Sequence, residues 1–326
     1  MNSSSLKRVV VTGAAGFIGS TLVDSLLQQG IEVLGIDNFS TGRIEFLSDA
    51  LKDPKFTLLR QDLYLVKDLS SVFVGKDAIF HLAANADVRF GPDRPSVDLE
   101  QNTITTHKVL DAARIAGVKK FIFSSTGSVY GESEIVPTPE NAPFPIQTSL
   151  YGASKLACEG MIAAYSESFG MQVWIFRFVS ILGPRYTHGH VFDFYKQLKE
   201  HPENLTVLGN GYQKKSYLHV SDCIAAINVA LNSASASVNI FNLGVDGYCE
   251  VRDSIGWITD ELRLTPQISF GTESKGWIGD NPLIHLDTKK IQEIGWVPKL
   301  SIEESVRDTI SYMHSNQWLF QGGAKK

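Results

Sequence analysis

Through the first half of the chain, short β-branched and aromatic runs alternate with longer stretches of helical spacing. Residues 7–12 form a compact apolar run, and 31–36, 56–61, 78–82, 119–124 and 172–178 repeat it at intervals. Between them, residues 19–30 place Leu22, Val23, Leu26 and Leu27 on one helical face, and 102–116 and 149–169 read as further amphipathic helices. Strands apolar on both sides need cover on both sides, and the intervening helices supply it. The pattern predicts an α/β fold, a doubly wound parallel sheet with helices on both faces.

The texture changes after Ser180. Gly183-Pro184, Gly189, Gly209, Gly211, Gly244 and Gly247 punctuate shorter elements. Residues 1–179 read as the sheet domain and 180–320 as mainly a smaller, mixed lobe. Part of 217–245, chiefly the apolar stretch 217–231, is expected to return to the sheet. The small, polar tail 321–326 is expected to fray.

Composition narrows the function classes. The 326 residues are 43% hydrophobic and 20% charged, an ordinary balance for a chain with its own core. Lys and Arg number 30 against 35 Asp and Glu, a net charge of −5 with no basic block, which argues against nucleic acid or an anionic membrane as a partner. Cys158, Cys223 and Cys249 form no CxxC pair and are odd in number, against a disulfide framework or a zinc knuckle. His188 and His190 flank Gly189 without a third ligand, so they read as loop residues and no metal is expected. No apolar run approaches the ~20 residues of a membrane span, and residues 1–8 carry no secretory pattern. A soluble, cytoplasmic protein is expected.

Gly13, Gly16 and Gly19 stand between the first strand and the first helix. Gly13 permits a tight turn, Gly16 lets backbone approach a pyrophosphate, and Gly19 lets the helix pack on the strand. A glycine turn without a ligand is the alternative. Asp37 ends the second strand, where a carboxylate accepts from an adenosine ribose diol and repels a 2′-phosphate, favouring NAD over NADP. Arg43, nearby in sequence, leaves NADP open. Asp62, just past another strand, reads either as an adenine contact or as a solvated loop acid.

Tyr151 and Lys155 stand four apart and share one helix face. A free phenol, with a pKa of about 10, is a poor base at neutral pH; a nearby ammonium and a cationic nicotinamide would draw it toward the phenolate. Alone, the pair is compatible with an ordinary surface helix. Upstream, residues 121–126 run from an apolar strand into Ser124, Ser125 and Thr126, at the sheet end that faces a cofactor crevice.

In order along the chain, Thr12-Gly-x-x-Gly-x-x-Gly, Asp37-Asn38, His81-Leu82-Ala83-Ala84, Ser125-Thr126 with Val129-Tyr130-Gly131, and Tyr151-x-x-x-Lys155 resemble the extended short-chain dehydrogenase/reductases. Within them the chain resembles the NAD-dependent nucleotide-sugar epimerases and dehydratases, the UDP-glucose (UDP-galactose) 4-epimerases above all. The resemblance implies a Rossmann-type sheet with a substrate-binding lobe, NAD as cofactor, a nucleotide sugar (most often a UDP-sugar) as substrate, and a homodimer paired through the helices at 102–116 and 149–169. It implies Tyr151 as acid/base, Lys155 as its support and Thr126 as the hydroxyl on the sugar oxygen. Gly13, Gly16, Phe17, Ile18 and Gly19 match the pyrophosphate loop, Asp37, Asn38, Ser40 and Gly42 the ribose loop, and Asp62-Leu63 the adenine contact. Leu82, Ala83, Ala84 and Ser124 match strand ends beside the cofactor, and Asn102 a structural helix position.

For the substrate, Lys215 stands where the resemblance puts a basic diphosphate contact, usually arginine. Asp280 matches a Gly-Asp pair, and Trp277 falls where many epimerases carry arginine, reading as a stacking or a packing residue. Arg185 is a candidate anion contact. Ser180 stands where uronate-handling relatives carry a hydroxyl, and Ile284 where hexose-selective relatives carry tyrosine, leaving room for an N-acetyl group. Relatives that eliminate water place Asp-Glu directly after the catalytic hydroxyl; Gly127 and Ser128 occupy those positions. The expectation is C4 epimerisation, with a related epimerase or 4-ketoreductase on another nucleotide sugar, or a non-catalytic NAD-binding protein, as alternatives.

Overall fold

The structure is a computed structural model that describes residues 6–85, 91, 93–144, 146–273 and 283–320. Seven parallel strands form the main sheet: β1 (Arg8–Thr12), β2 (Glu32–Asp37), β3 (Phe56–Arg60), β4 (Ala78–His81), β5 (Lys120–Thr126), β6 (Gln172–Phe178) and β11 (Val238–Leu243). Their spatial order is β11-β6-β5-β4-β1-β2-β3. Succession reverses between β1 and β4, and in an open α/β sheet the crevice beyond the strand ends at that point takes the ligand. Thr12 pairs in register with His81 across it.

Helices cover both faces: α1 (Phe17–Gln28), α2 (Ser70–Phe73), α3 (Ser96–Asp98), α4 (Thr105–Ile115), α5 (Leu150–Phe169) and α7 (Val220–Ser233). One apolar cluster gathers Val9, Val11, Leu22, Val23, Trp174, Phe176, Ile224 and Ile227; another, on the opposite face, gathers Val10, Ile79, Val109, Leu110, Phe121, Ile162 and Val173. Strand residues of alternating parity go to the two clusters, as the period-2 pleat requires.

The limits of α5 follow from local chemistry. The Ser149 hydroxyl accepts from the Gly152 amide at 3.0 Å and caps its start. Gly170, at φ +63°, ends it in the left-handed region. The earlier helix starts at Ser96 rather than at 102, because a π-helical stretch, Leu99–Ile104, joins α3 to α4 and carries Asn102 on it.

The remaining elements build small sheets and a third core. β7 (Ser180–Leu182) pairs with β10 (Tyr217–His219), β8 (Asn204–Val207) with β13 (Gln267–Phe270), and β9 (Lys214–Lys215) lies between β12 (Cys249–Glu250) and β14 (Leu283–Ile284). α6 (His190–Glu200), α8 (Val251–Leu262) and α10 (Ile302–Ser315) enclose Tyr195, Leu198, Ile255, Ile258, Val306 and Ile310; α9 (Lys289–Glu293) lies beside β11.

His190 departs from the loop expected for it. It opens α6 half-buried, its Nδ1 2.7 Å from the Tyr217 hydroxyl and its Nε2 2.9 Å from the Ser254 hydroxyl. Burial, with Lys215 nearby, pushes its pKa down to about 3.

Candidate active site

The phosphate loop is built on close approach. Gly13 sits at φ +69°, and a Cβ there would lie 2.8 Å from the Ala83 nitrogen; a Cβ on Gly19 would lie 1.9 Å from the Gly13 oxygen. Side chains would therefore fill the turn that a pyrophosphate must approach. Gly16 opens α1 without a side-chain cap, leaving the N–H groups of the first turn for an anion. Thr12 ties this turn to the neighbouring strand end, its hydroxyl accepting from the Leu82 and Ala83 amides at 3.2 Å each. The same hydroxyl lies 2.7 Å from His81 Nδ1, and His81 Nε2 lies 3.0 Å from Thr106. His81 is wholly buried, and desolvation, followed by the charge on Lys155, lowers its pKa to about 3.

Asp37 closes the loop from the next strand. Its carboxylate accepts from the Ala15 amide at 2.9 Å and the Phe39 amide at 2.7 Å. Burial raises its pKa, and those two bonds oppose the rise. Gly42 is pressed against it, since a Cβ would lie 2.7 Å from Asp37 Oδ1. Asn38 Nδ2 donates to Asp62 at 3.0 Å, and Asn38 Oδ1 accepts from the Ser40 amide, so these residues form one rigid turn beside the buried Leu63. Arg43 points elsewhere: its guanidinium donates to the Leu319 carbonyl at 3.1 Å. The glycine cradle and the carboxylate fit the pyrophosphate and ribose of NAD.

Thr126 ends β5, its hydroxyl donates to the Ser128 hydroxyl at 3.2 Å, and it lies near enough to the Tyr151 phenol to lower its pKa. The Ser128 amide donates to Thr126 Oγ1 at 3.1 Å and fixes the turn after it. Lys155 is 2% exposed and donates to the Ser124 carbonyl at 2.8 Å, its Nζ 4.6 Å from the centre of the Phe123 ring. Burial draws its pKa down to about 8, against the pull of Cys158, Glu159 and Asp98. Burial pushes the Tyr151 phenol up, and Thr126 opposes the rise.

Asn102 and its neighbours brace this pair from below. Asn102 Nδ2 donates to the Ser154 hydroxyl at 2.9 Å and to Asp98 at 3.2 Å, and its Oδ1 accepts from the Asn85 amide at 2.8 Å. Asp98 is 1% exposed and its Oδ2 is buried without a hydrogen-bond partner among the described residues; desolvation raises its pKa. Sequence reading passed over Asp98, although an acid three residues after Pro95 and four before Asn102 shares the Asn102 face.

The expected substrate residues separate. Lys215 pairs in register with Ile284. A Cβ on Gly127 would lie 2.7 Å from Ile284 Cγ2, so Ile284 packs against the residue that follows Thr126. Ser180 is exposed at the start of β7. Arg185 donates to Asp24 of α1 at 2.6 Å, and its Nη1 is buried with no hydrogen-bond partner among the described residues. Trp277 and Asp280 lie outside the described residues. Among those described, no helix is long and apolar enough to cross a membrane.

Comparison with known proteins agrees with this geometry. The model of the NAD dependent epimerase/dehydratase family matches residues 9–244. A UDP-glucose 4-epimerase of Mycolicibacterium smegmatis is 31% identical over 94% of this chain and 99% of its own. The crystal structure of a UDP-galactose 4-epimerase superposes with a TM-score of 0.85 at 36% identity, covering 95% of this chain and all of that one. A UDP-glucuronic acid 4-epimerase from Bacillus cereus, solved in complex with UDP-glucuronic acid and NAD, superposes with a TM-score of 0.87 at 27% identity over 94% and 99%. With a cradle that fits the dinucleotide and these similarities, the chain belongs to the NAD-dependent epimerase/dehydratase family and uses NAD as its cofactor.

Proposed function

We propose that the protein is an NAD-dependent 4-epimerase of nucleotide sugars of the UDP-glucose/UDP-galactose type, working through a transient 4-keto sugar. The observation that carries this reading is the Tyr151 phenol beside Thr126 with Lys155 buried on the Ser124 carbonyl, and with Gly127 and Ser128 after Thr126, where no carboxylate stands to assist elimination.

When bound, NAD supplies the oxidant for C4 and returns the reducing equivalents to it, and its positive ring favours the phenolate. The chain's own residues handle the proton. Tyr151 removes it from the C4 hydroxyl and gives it back to the opposite epimer. Thr126 holds the sugar oxygen, and Lys155 fixes the strand end that carries Thr126. Retention of the ketone while it turns over requires grip on the rest of the substrate. Lys215 meets the diphosphate as a point charge, with Ser180, Trp277 and Asp280 as further contacts. Ile284 beside Gly127 bounds the sugar pocket with a side chain smaller than tyrosine, which favours an N-acetylhexosamine as a second substrate. The protein works in the cytoplasm as a homodimer joined through the α4 and α5 faces.

The test is a panel of UDP-, GDP-, CDP- and dTDP-sugars scored by NMR for C4 inversion, with no cofactor added. Inversion of UDP-glucose or UDP-galactose supports the reading. Stoichiometric consumption of reduced cofactor points to a ketoreductase, and NAD binding without turnover to a non-catalytic protein; either result overturns it.

A further inference from the structure

One turn beyond Lys155 on α5 stands Glu159, so Tyr151, Lys155 and Glu159 share one face at four-residue intervals. Glu159 is 5% exposed, and Arg177 of β6, the residue in register with Ser125 of β5, is 2% exposed. Arg177 Nη2 donates to Glu159 Oε2 at 2.6 Å, and its Nε reaches both carboxylate oxygens at 3.1 Å. The Ser125 hydroxyl donates to Glu159 Oε1. From its other side Arg177 Nη1 donates to the Tyr130 hydroxyl at 2.6 Å and the Glu140 carbonyl at 3.0 Å, and Tyr130 donates on to Asn242 at 2.9 Å.

The pair therefore grips both sides of Thr126: Ser125 before it, and the turn Gly127–Tyr130 after it. With Lys155 on the Ser124 carbonyl, consecutive residues of β5 are clipped to consecutive turns of the helix that carries Tyr151. A buried ion pair is a poor source of stability, because desolvation of two charges offsets their attraction, and apolar replacements are often no less stable. Its retention here calls for another role.

We propose that Glu159 and Arg177 are positioning residues, which fix the end of β5 against α5 so that the Thr126 hydroxyl and the Tyr151 phenol address the same substrate oxygen. This deepens the epimerase reading and rests on Thr126 and Tyr151 being its reacting pair. A second effect follows from charge. The groups facing Lys155 are Glu159 and Cys158 on its own helix, Asp98 from α3 and His81 from β4. Glu159 is one of the three that hold the ammonium charged against burial.

Three variants test the proposal. Ser125→Ala removes the clip and leaves the ion pair; kcat should fall about tenfold, with KM and NAD affinity unchanged. Glu159→Gln should move the alkaline limb of the kcat profile to lower pH, which a purely structural lesion would not do. The double variant Glu159→Met, Arg177→Met should recover the thermal stability of the wild type yet keep kcat at least about a hundredfold down. Its backbone amide resonances for residues 124–127 should be displaced in the NAD-free protein. Should the double variant turn over at the wild-type rate, or Ser125→Ala match wild type in kcat, or those amides stay where they are in the wild type, the proposal is overturned. The amide measurement needs no substrate, so it judges the clamp even if no nucleotide sugar is epimerised and the functional reading itself fails.

Discussion

Arg43 donates to the Leu319 carbonyl 276 residues away, at 3.1 Å, with its guanidinium carbon 5.9 Å from the Trp318 ring centre. Its own amide donates to the Ala15 carbonyl in the phosphate loop at 2.9 Å. Trp318 also meets Phe46 edge to face, while Phe320 stacks on Phe192 and Tyr195 of α6. The loop that follows Asp37 is thus tied to α6 through the segment at 317–320. Arg43→Ala should raise the NAD dissociation rate about tenfold, equivalent to ~1.4 kcal/mol, roughly one charge-assisted hydrogen bond. Preference for NAD over NADP should not change, because Arg43 is engaged by the Leu319 carbonyl and the Trp318 ring. Displacement of bound NADH, followed by fluorescence, measures both.

We infer that Asp37 carries that preference instead. Asp37→Ser removes the carboxylate that holds the Ala15 and Phe39 amides. The variant should bind NAD at least about tenfold more weakly and lose much of its discrimination against NADP. Titration calorimetry with the two cofactors is the check.

Lys155 gives a pH signature. Its pKa is about 8 when folded against 10.5 for the free side chain. Activity that needs the ammonium should decline above about pH 8, read as the alkaline limb of kcat/KM. Stability runs the other way: between about 8 and 10.5 the unfolded chain binds a proton that the native protein has released, so stability rises with pH across that window. Lys155→Met should lose about a hundredfold or more in kcat and melt no lower than wild type at pH 7.

His81 and His190 act at the acid end. Each has a folded pKa of about 3 against 6.5 unfolded. Below about pH 6.5 the unfolded state takes up protons that the native state refuses, so stability falls progressively as pH drops toward 3. Melting curves at pH 7, 6 and 5 should show this loss, and His190→Gln should flatten part of it.

Gly127 has no space for a side chain, because Ile284 lies where its Cβ would be. Gly127→Ala should cost about 1–3 kcal/mol through overpacking and raise KM for the sugar. Adding Ile284→Ala, which removes the Cγ2 methyl that a Cβ at 127 would meet, should restore part of both, as read by denaturant midpoints and initial rates.

Much of the site could be read from the chain because its determinants are local. Gly13, Gly16 and Gly19 lie within one turn of backbone, and Tyr151 and Lys155 face the same way by helix geometry. The strands with apolar runs appear close to where the pattern put them; 172–178 coincides with β6. What escaped has long-range causes. Glu159 resembles any acid on an amphipathic helix until Arg177 is placed beside it. Arg177 did leave a signal, as one charge inside the apolar run VWIFRF. The destinations of Arg43 and Arg185 depend on partners 276 and 161 residues distant, and no local pattern encodes them. The burial that pushes the Tyr151 phenol up is likewise set by tertiary packing, which no local spacing announces.

β11 reaches the main sheet only after the chain has built β7 to β10, and it lies against β6 in register from Val238–Val173 to Leu243–Phe178. During synthesis, then, the flank of β6 stays an open row of backbone donors and acceptors until some seventy further residues have emerged. A gene cut after residue 180 would encode that state permanently, with the α7 cover also missing. Such a fragment should self-associate by edge pairing rather than persist as a dissolved cofactor-binding half.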